Sequence, residues 1–223
     1  MDCVPSIEPI VWWILEAVAV AGLLVAERRG FRQAIILSKM TASSTFLGYA
    51  VALGAFDTGT GSLLFLGLAL CWLGDALLLP PGQTIWFQLG IGSFLLGHVA
   101  YAATFLGLGF HFPTLTVAAA IISSASWIVL GWLRPKVPAD LSVAVQSYVV
   151  VIGTMVACSL GAFAAGAPCA VATGAMLFAT SDLSVARERF VSQSFLNSAW
   201  GLPAYFAAQM ILAGSIPDMT SGS

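Results

Sequence analysis

The chain has 223 residues, of which 59% belong to the apolar set (Ala, Val, Ile, Leu, Met, Phe, Trp, Tyr and Cys) and 8% are charged, with a net charge of −2. A water-facing exterior needs roughly 25–35% Lys, Arg, Glu and Asp, so this composition excludes a soluble globular domain and requires lipid as the solvent for most of the surface. The small negative charge and the absence of any basic run argue against nucleic acid as a partner.

One bilayer crossing takes about 20 mainly apolar residues. The hydropathy pattern predicts eight of them, at 8–26, 34–54, 62–79, 85–109, 113–133, 141–164, 167–186 and 194–213. The expected fold is therefore all-α, a single polytopic membrane domain over residues 1–223 with about eight transmembrane helices in one bundle. Ala17-Val18-Ala19 resembles a signal-peptide cleavage site, but Met1 to Pro9 holds two acids and no base, so the first span reads as a retained helix. Turn chemistry separates the spans: Arg28-Arg29-Gly30, Asp57-Thr58-Gly59, Pro80-Pro81-Gly82, Phe112-Pro113, Arg134-Pro135 and Gly166-Ala167-Pro168.

Charge in the loops sets the expected orientation. The face formed by connections 1–2, 3–4, 5–6 and 7–8 holds Arg28, Arg29, Arg32, Arg134, Lys136, Arg187 and Arg189, and the opposite face holds no Lys or Arg. By the positive-inside rule that basic face is cytoplasmic, which puts both termini, with Asp2, Asp57 and Asp218, on the other side. Cys71 and Cys158 fall within helices as small packing residues. Cys3 and Cys169 share the outer side, where a disulfide between them is one possibility.

The residues that an apolar background does not explain are few. An ionisable group near the centre of a membrane helix costs on the order of 2.5–3.5 kcal/mol by insertion scales, so each implies a buried partner or a function. They are Glu16, Lys39, Asp75, His98 and Asp182. With a rise of about 1.5 Å per residue, Lys39, Asp75 and Asp182 each lie roughly 7 Å from the cytoplasmic ends of their helices. Tyr148 lies about 10 Å deep on the sixth helix by the same arithmetic, and His98 and Tyr101 lie near or beyond mid-membrane on the fourth. A lysine snorkelling to the interface, or tying two helices through one aspartate, accounts for part of this pattern. Two aspartates for one lysine leave an extra carboxyl group, which points to proton chemistry or ion binding. Glu16 has no partner at an obvious position and reads as a packing residue or as one in contact with a neighbouring polar group. One histidine within a helix is a poor basis for a zinc site, so neither a metal nor a cofactor is expected.

Gly74-Asp75-Ala76-Leu77-Leu78 on the third span and Gly97-His98 with Tyr101 on the fourth resemble motifs of the YhhN-like lysoplasmalogenases. So do Gly174-Ala175-Met176-Leu177-Phe178-Ala179-Thr180-Ser181-Asp182 on the seventh and Tyr205-Phe206-Ala207-Ala208-Gln209 on the eighth. Lys39 matches that family's second-helix lysine, although Met40 follows it where proline is expected. The resemblance implies an eight-helix membrane enzyme that hydrolyses the vinyl-ether bond of a lysophospholipid substrate, releasing a fatty aldehyde and glycerophosphocholine or glycerophosphoethanolamine.

That reaction needs a proton on the distal alkene carbon, a stabilised oxocarbenium ion, and water at the carbon bound to oxygen. A carboxylic acid beside a carboxylate supplies these needs, which makes Asp75 and Asp182 the candidate catalytic pair. Lys39 is the candidate phosphate ligand, and His98, Tyr101, Tyr148 and Ser181 are candidates to orient water, the ether oxygen or the acids, with Tyr205 and Gln209 as supporting residues. Two other classes fit the same residues: a proton-coupled small-solute transporter, and a lipid-binding membrane protein without catalysis.

Reporter fusions test the orientation. They are expected to place Arg29, Lys136 and Arg189 in the cytoplasm and both termini outside; termini on opposite faces would reject an eight-span chain.

Overall fold

The computed structural model describes residues 9–80 and 84–220. Asp2, Cys3 with its pairing to Cys169, and the Pro81-Gly82 turn lie outside the described residues. Eight long helices follow one another: α1 Pro9–Arg29, α2 Arg32–Ala52, α3 Gly59–Leu77, α4 Thr84–Gly107, α5 Phe112–Leu133, α6 Ser142–Ala164, α7 Cys169–Phe190 and α8 Phe195–Gly214. A short α9, Ile216–Thr220, closes the chain, and a 3₁₀ turn at Ala139–Leu141 leads into α6. Among the described residues there is no strand, and the all-α polytopic bundle is as expected.

Helix ends follow local chemistry. Thr58 caps α3 by accepting from the Gly61 amide at 3.1 Å, and Ser194 caps α8 by accepting from the Leu196 amide at 3.2 Å. Pro113 opens α5, where a missing N–H costs nothing. Gly30 and Gly166 follow α1 and α6 with φ of 68° and 109°, a left-handed backbone that glycine adopts without a Cβ clash.

Among the described residues, six helices are long and apolar enough to cross a membrane. The two others of similar length are α2, with 21 residues, and α8, with 20. Their apolarity is diluted by polar groups, among them the buried Ser43 and Thr45 on α2 and Asn197 and Gln209 on α8. The lipid side is the reverse: Trp127, Ile128 and Val143 are among many large apolar side chains left exposed.

Consecutive helices pair as α1–α2, α3–α4, α5–α6 and α7–α8, and contacts of α4 with α6, α6 with α7, and α8 with both α1 and α2 close the bundle. α5 stands outside, packed chiefly on α6, with only Ala118 and Leu133 of its residues buried. The core runs through Phe46, Leu64, Leu68, Phe105, Phe178, Phe206 and Met210. Small residues let α3 and α4 approach closely, as membrane helices require. A Cβ on Gly97 would come 3.0 Å from Cys71 Sγ, and one on Gly74 would come 2.6 Å from the Phe94 ring. That close approach sets the level of Asp75, the residue after Gly74.

α1 buries one carboxyl group, that of Glu16, at 3% exposure. Neither of its oxygens has a hydrogen-bond partner among the described residues. An unsatisfied buried polar group costs about 1–3 kcal/mol, and more when charged. Glu16→Leu is therefore expected to raise the thermal unfolding midpoint of the purified protein, whereas a fall of several degrees would show that the carboxyl group has a partner.

Candidate functional site

Two polar clusters form where the short-side-chain faces of α3 and α7 meet their neighbours. The first is built around Asp75, which is 2% exposed. Lys39 Nζ of α2 lies 3.1 Å from its Oδ1. One helical turn beyond Lys39, on the same face, Ser43 Oγ donates to Oδ2 at 2.6 Å. From α8 the Tyr205 hydroxyl donates to the same oxygen at 2.7 Å. A relay stands behind it: Tyr101 on α4 donates to Gln209 Oε1 at 2.8 Å, and Gln209 Nε2 donates to the Tyr205 oxygen at 3.2 Å. Four helices are thereby joined to one carboxyl group, each donor already oriented by the next.

The second cluster is built around Asp182 on α7. Tyr148 of α6 donates to its Oδ2 at 2.8 Å. His98 of α4 lies with Nε2 3.6 Å from the same oxygen, too far for a hydrogen bond. The other ring nitrogen of His98 is 2.6 Å from the Phe94 carbonyl, which accepts only, so Nδ1 carries the hydrogen and the neutral ring leaves Nε2 a bare lone pair. Nε2 has no hydrogen-bond partner among the described residues. A lone pair facing a carboxyl oxygen at that distance is a place for a proton.

Aromatic rings separate the clusters. Phe178 meets His98 edge-on with centroids 4.5 Å apart and meets Tyr205 at 5.3 Å. No hydrogen bond joins Asp75 to Asp182 among the described residues. Instead, both carboxyl groups open onto one cavity of about 690 Å³, whose wall also carries Lys39, Tyr148, Ser181 and Tyr205. Its remaining walls are mostly apolar, from Ile91 and Phe94 on α4, Ile122 and Val129 on α5, and Val149 and Ile152 on α6. Such a shape suits a long hydrocarbon chain with a polar group at one end.

Of the residues singled out from sequence, Lys39, Asp75, Tyr148, Ser181, Asp182 and Tyr205 reach the cavity wall, while His98, Tyr101 and Gln209 are buried without lining it. The Ser181 hydroxyl donates to the Phe178 carbonyl of its own helix at 2.7 Å. Ser43 was not among them, although its i+4 spacing from Lys39 was a usable signal. Also absent were Glu188, Arg189 and Asn197, which line the cavity; of these only Arg189 was read from sequence, and only for orientation. Among the described residues, no group of three or more His, Cys, Asp or Glu side chains is arranged to hold a metal ion.

Comparison with known proteins agrees with this arrangement of motifs. The sequence model of the YhhN family matches residues 34–216, from the start of α2 to the start of α9. The chain is 31% identical to a lysoplasmalogenase of Bos taurus over 158 residues, 67% of this chain and 63% of that protein. It is 29% identical to the lysoplasmalogenase of Mycobacterium tuberculosis over 201 residues, 80% of this chain and 75% of the relative. A human lysoplasmalogenase is 29% identical over 156 residues, 67% of this chain and 63% of the relative. The match thus spans less than two thirds of the length of either mammalian protein. No solved structure matches the chain at a significant level. A family match across all the helices that bear the two clusters makes this chain a member of the YhhN family.

Proposed function

We propose that the chain is a lysoplasmalogenase, a hydrolase of the vinyl-ether bond in single-chain alkenyl phospholipids. The observation that carries this reading is the single cavity, mostly apolar, with Asp75 and Asp182 on its wall in unlike environments. Relatives named lysoplasmalogenase, at 29–31% identity, support the same substrate class.

Asp75 receives two hydroxyl donors and an ammonium group, the pattern of an ionised carboxylate. Asp182 has one hydroxyl donor and the bare Nε2 of His98 nearby, an environment that accommodates a carboxylic acid proton. Asp182 delivers that proton to the distal carbon of the O–CH=CH group. The alkene pair forms the new C–H bond, and the ether oxygen shares the resulting positive charge. Asp75 stabilises this oxocarbenium ion electrostatically, in a site whose walls are mostly apolar. Water then attacks the carbon bound to oxygen, and one of its protons returns to Asp182. The hemiacetal so formed collapses to a fatty aldehyde and the free hydroxyl of a glycerophosphocholine or glycerophosphoethanolamine. No external oxidant or reductant is consumed.

Lys39 was expected to take the substrate phosphate. Its 3.1 Å pairing with Asp75 supports a different assignment, in which it pairs with the Asp75 carboxyl group and holds it in place. The cavity lining reaches Glu188, Arg189 and Gln193 at the α7–α8 connection, on the basic end of the bundle, which supports a site in the cytoplasmic leaflet.

Two experiments follow. Asp75→Asn and Asp182→Asn keep size and most hydrogen bonding, and each is expected to lower aldehyde release per folded molecule by about 10²–10⁴-fold, with the double variant little worse than either. Substantial turnover in both single variants would sink the proposal. Lys39→Met is expected to change kcat and its pH profile more than KM, and unaltered kinetics in the folded variant would remove Lys39 from the mechanism.

A further inference from the structure

Only two cations line the cavity among the described residues, Lys39 and Arg189. Lys39 is engaged by Asp75. Arg189, near the end of α7, is exposed and its guanidinium lies 4.0 Å from the centroid of the Phe87 ring on α4. It forms no salt bridge and donates no hydrogen bond among the described residues. Stacking on an aromatic face restrains the planar guanidinium and leaves its N–H edges unspent, the state in which arginine recognises phosphate.

The backbone beneath it is fixed. Glu188 Oε2 accepts from the Ser194 amide at 2.9 Å and from Asn197 Nδ2 at 2.7 Å, and the same Asn197 nitrogen donates to the Ser192 carbonyl at 2.8 Å. These bonds clamp the α7–α8 turn that follows Arg189, which lines the cavity. α7 also serves as a ruler. Asp182 and Arg189 are seven residues apart, two turns on one helix face, roughly 10 Å along the axis. Counting the arginine's own reach, that rise spans the glycerol carbons between a vinyl-ether oxygen and a phosphate three carbons away. Glu188 also lines the cavity beside Arg189. Its carboxylate disfavours a dianionic phosphate and favours a headgroup that carries a cation beyond the phosphate.

We infer that Arg189 binds the phosphate of a single-chain lipid and that the cavity mouth is a subsite for a zwitterionic phosphodiester headgroup. This rests on the reading of the cavity as a lysoplasmalogen site. Binding tests it without requiring turnover, so failure of the hydrolase reading, seen as no aldehyde from the wild-type chain, stays separate.

The full chain in lipid nanodiscs, with the signal of empty nanodiscs subtracted, is titrated with four probes. They are a saturated 1-O-alkyl-glycerophosphocholine, the matching 1-O-alkylglycerol, the matching 1-O-alkylglycerol phosphate monoester, and glycerophosphocholine without a chain. Wild type is expected to bind the phosphocholine lipid most tightly. Arg189→Gln is expected to weaken that lipid by at least about tenfold, the scale of one charge-assisted hydrogen bond, while leaving 1-O-alkylglycerol unchanged as a control for an intact cavity. The inference is overturned if Arg189→Gln binds the phosphocholine lipid as wild type does, if it loses both lipids equally, or if wild type binds none of the probes. Tighter wild-type binding of the phosphate monoester would overturn the zwitterionic assignment. Equal affinity for glycerophosphocholine would make free headgroups, rather than lipids, the ligand.

Discussion

The Asp75 carboxyl group is 2% exposed inside a bundle whose outer surface is lipid, and it is held there by Lys39 at 3.1 Å, Ser43 at 2.6 Å and Tyr205 at 2.7 Å. Removing one partner from a buried ion pair costs about 3–5 kcal/mol, because the remaining charge is left uncompensated. Hydrocarbon offers no water to take the lost donor's place, so α2, α3 and α8 have to meet at one level. Tyr101 and Gln209 extend the constraint to α4, and the small residues along α3 allow the approach. With those four helices fixed, α7 and α6 complete the wall that carries Asp182 and Tyr148.

The two aspartates differ in company. Asp75 is saturated with donors, whereas Asp182 shares its space with a histidine whose Nε2 is left without a hydrogen-bond partner among the described residues. Unlike environments for two carboxyl groups are the usual physical means of dividing acid and charge-stabilising roles. Phe178, lying edge-on to both His98 and Tyr205, keeps the clusters from merging into one hydrogen-bonded network. α5 contributes apolar wall while packing chiefly on α6, which leaves one side of the cavity bounded by the least buried helix of the bundle.

Much of this was legible in the sequence, for a definite reason. Lipid solvation makes charge so costly that Lys39, Asp75, His98 and Asp182 stand out against an 8% charged background, and the fixed rise of a helix turns residue number into depth. Depth says nothing about azimuth. The pairing of Lys39 with Asp75, the division of Tyr205 and Tyr148 between two aspartates, and the tautomer of His98 depend on helix rotation and crossing, which hydropathy does not encode. Ser43 was hidden because a serine in a membrane helix commonly bonds its own backbone, as Ser181 does. Arg189 was hidden because positive-inside loops contain such residues for topological reasons alone. Glu16 lies on α1, outside the family match that begins at residue 34, and neither its depth nor its lack of a partner assigns it chemistry.

The central claim is that the reaction begins with proton transfer to carbon, and isotopes follow that step directly. Hydrolysis of a lysoplasmalogen by the purified chain in D₂O, with the aldehyde reduced as it forms, is predicted to place one deuterium on the carbon next to the carbonyl. In H₂¹⁸O the released glycerol hydroxyl is predicted to keep its original oxygen. An aldehyde without that deuterium, or solvent oxygen in the glycerol product, would contradict the account.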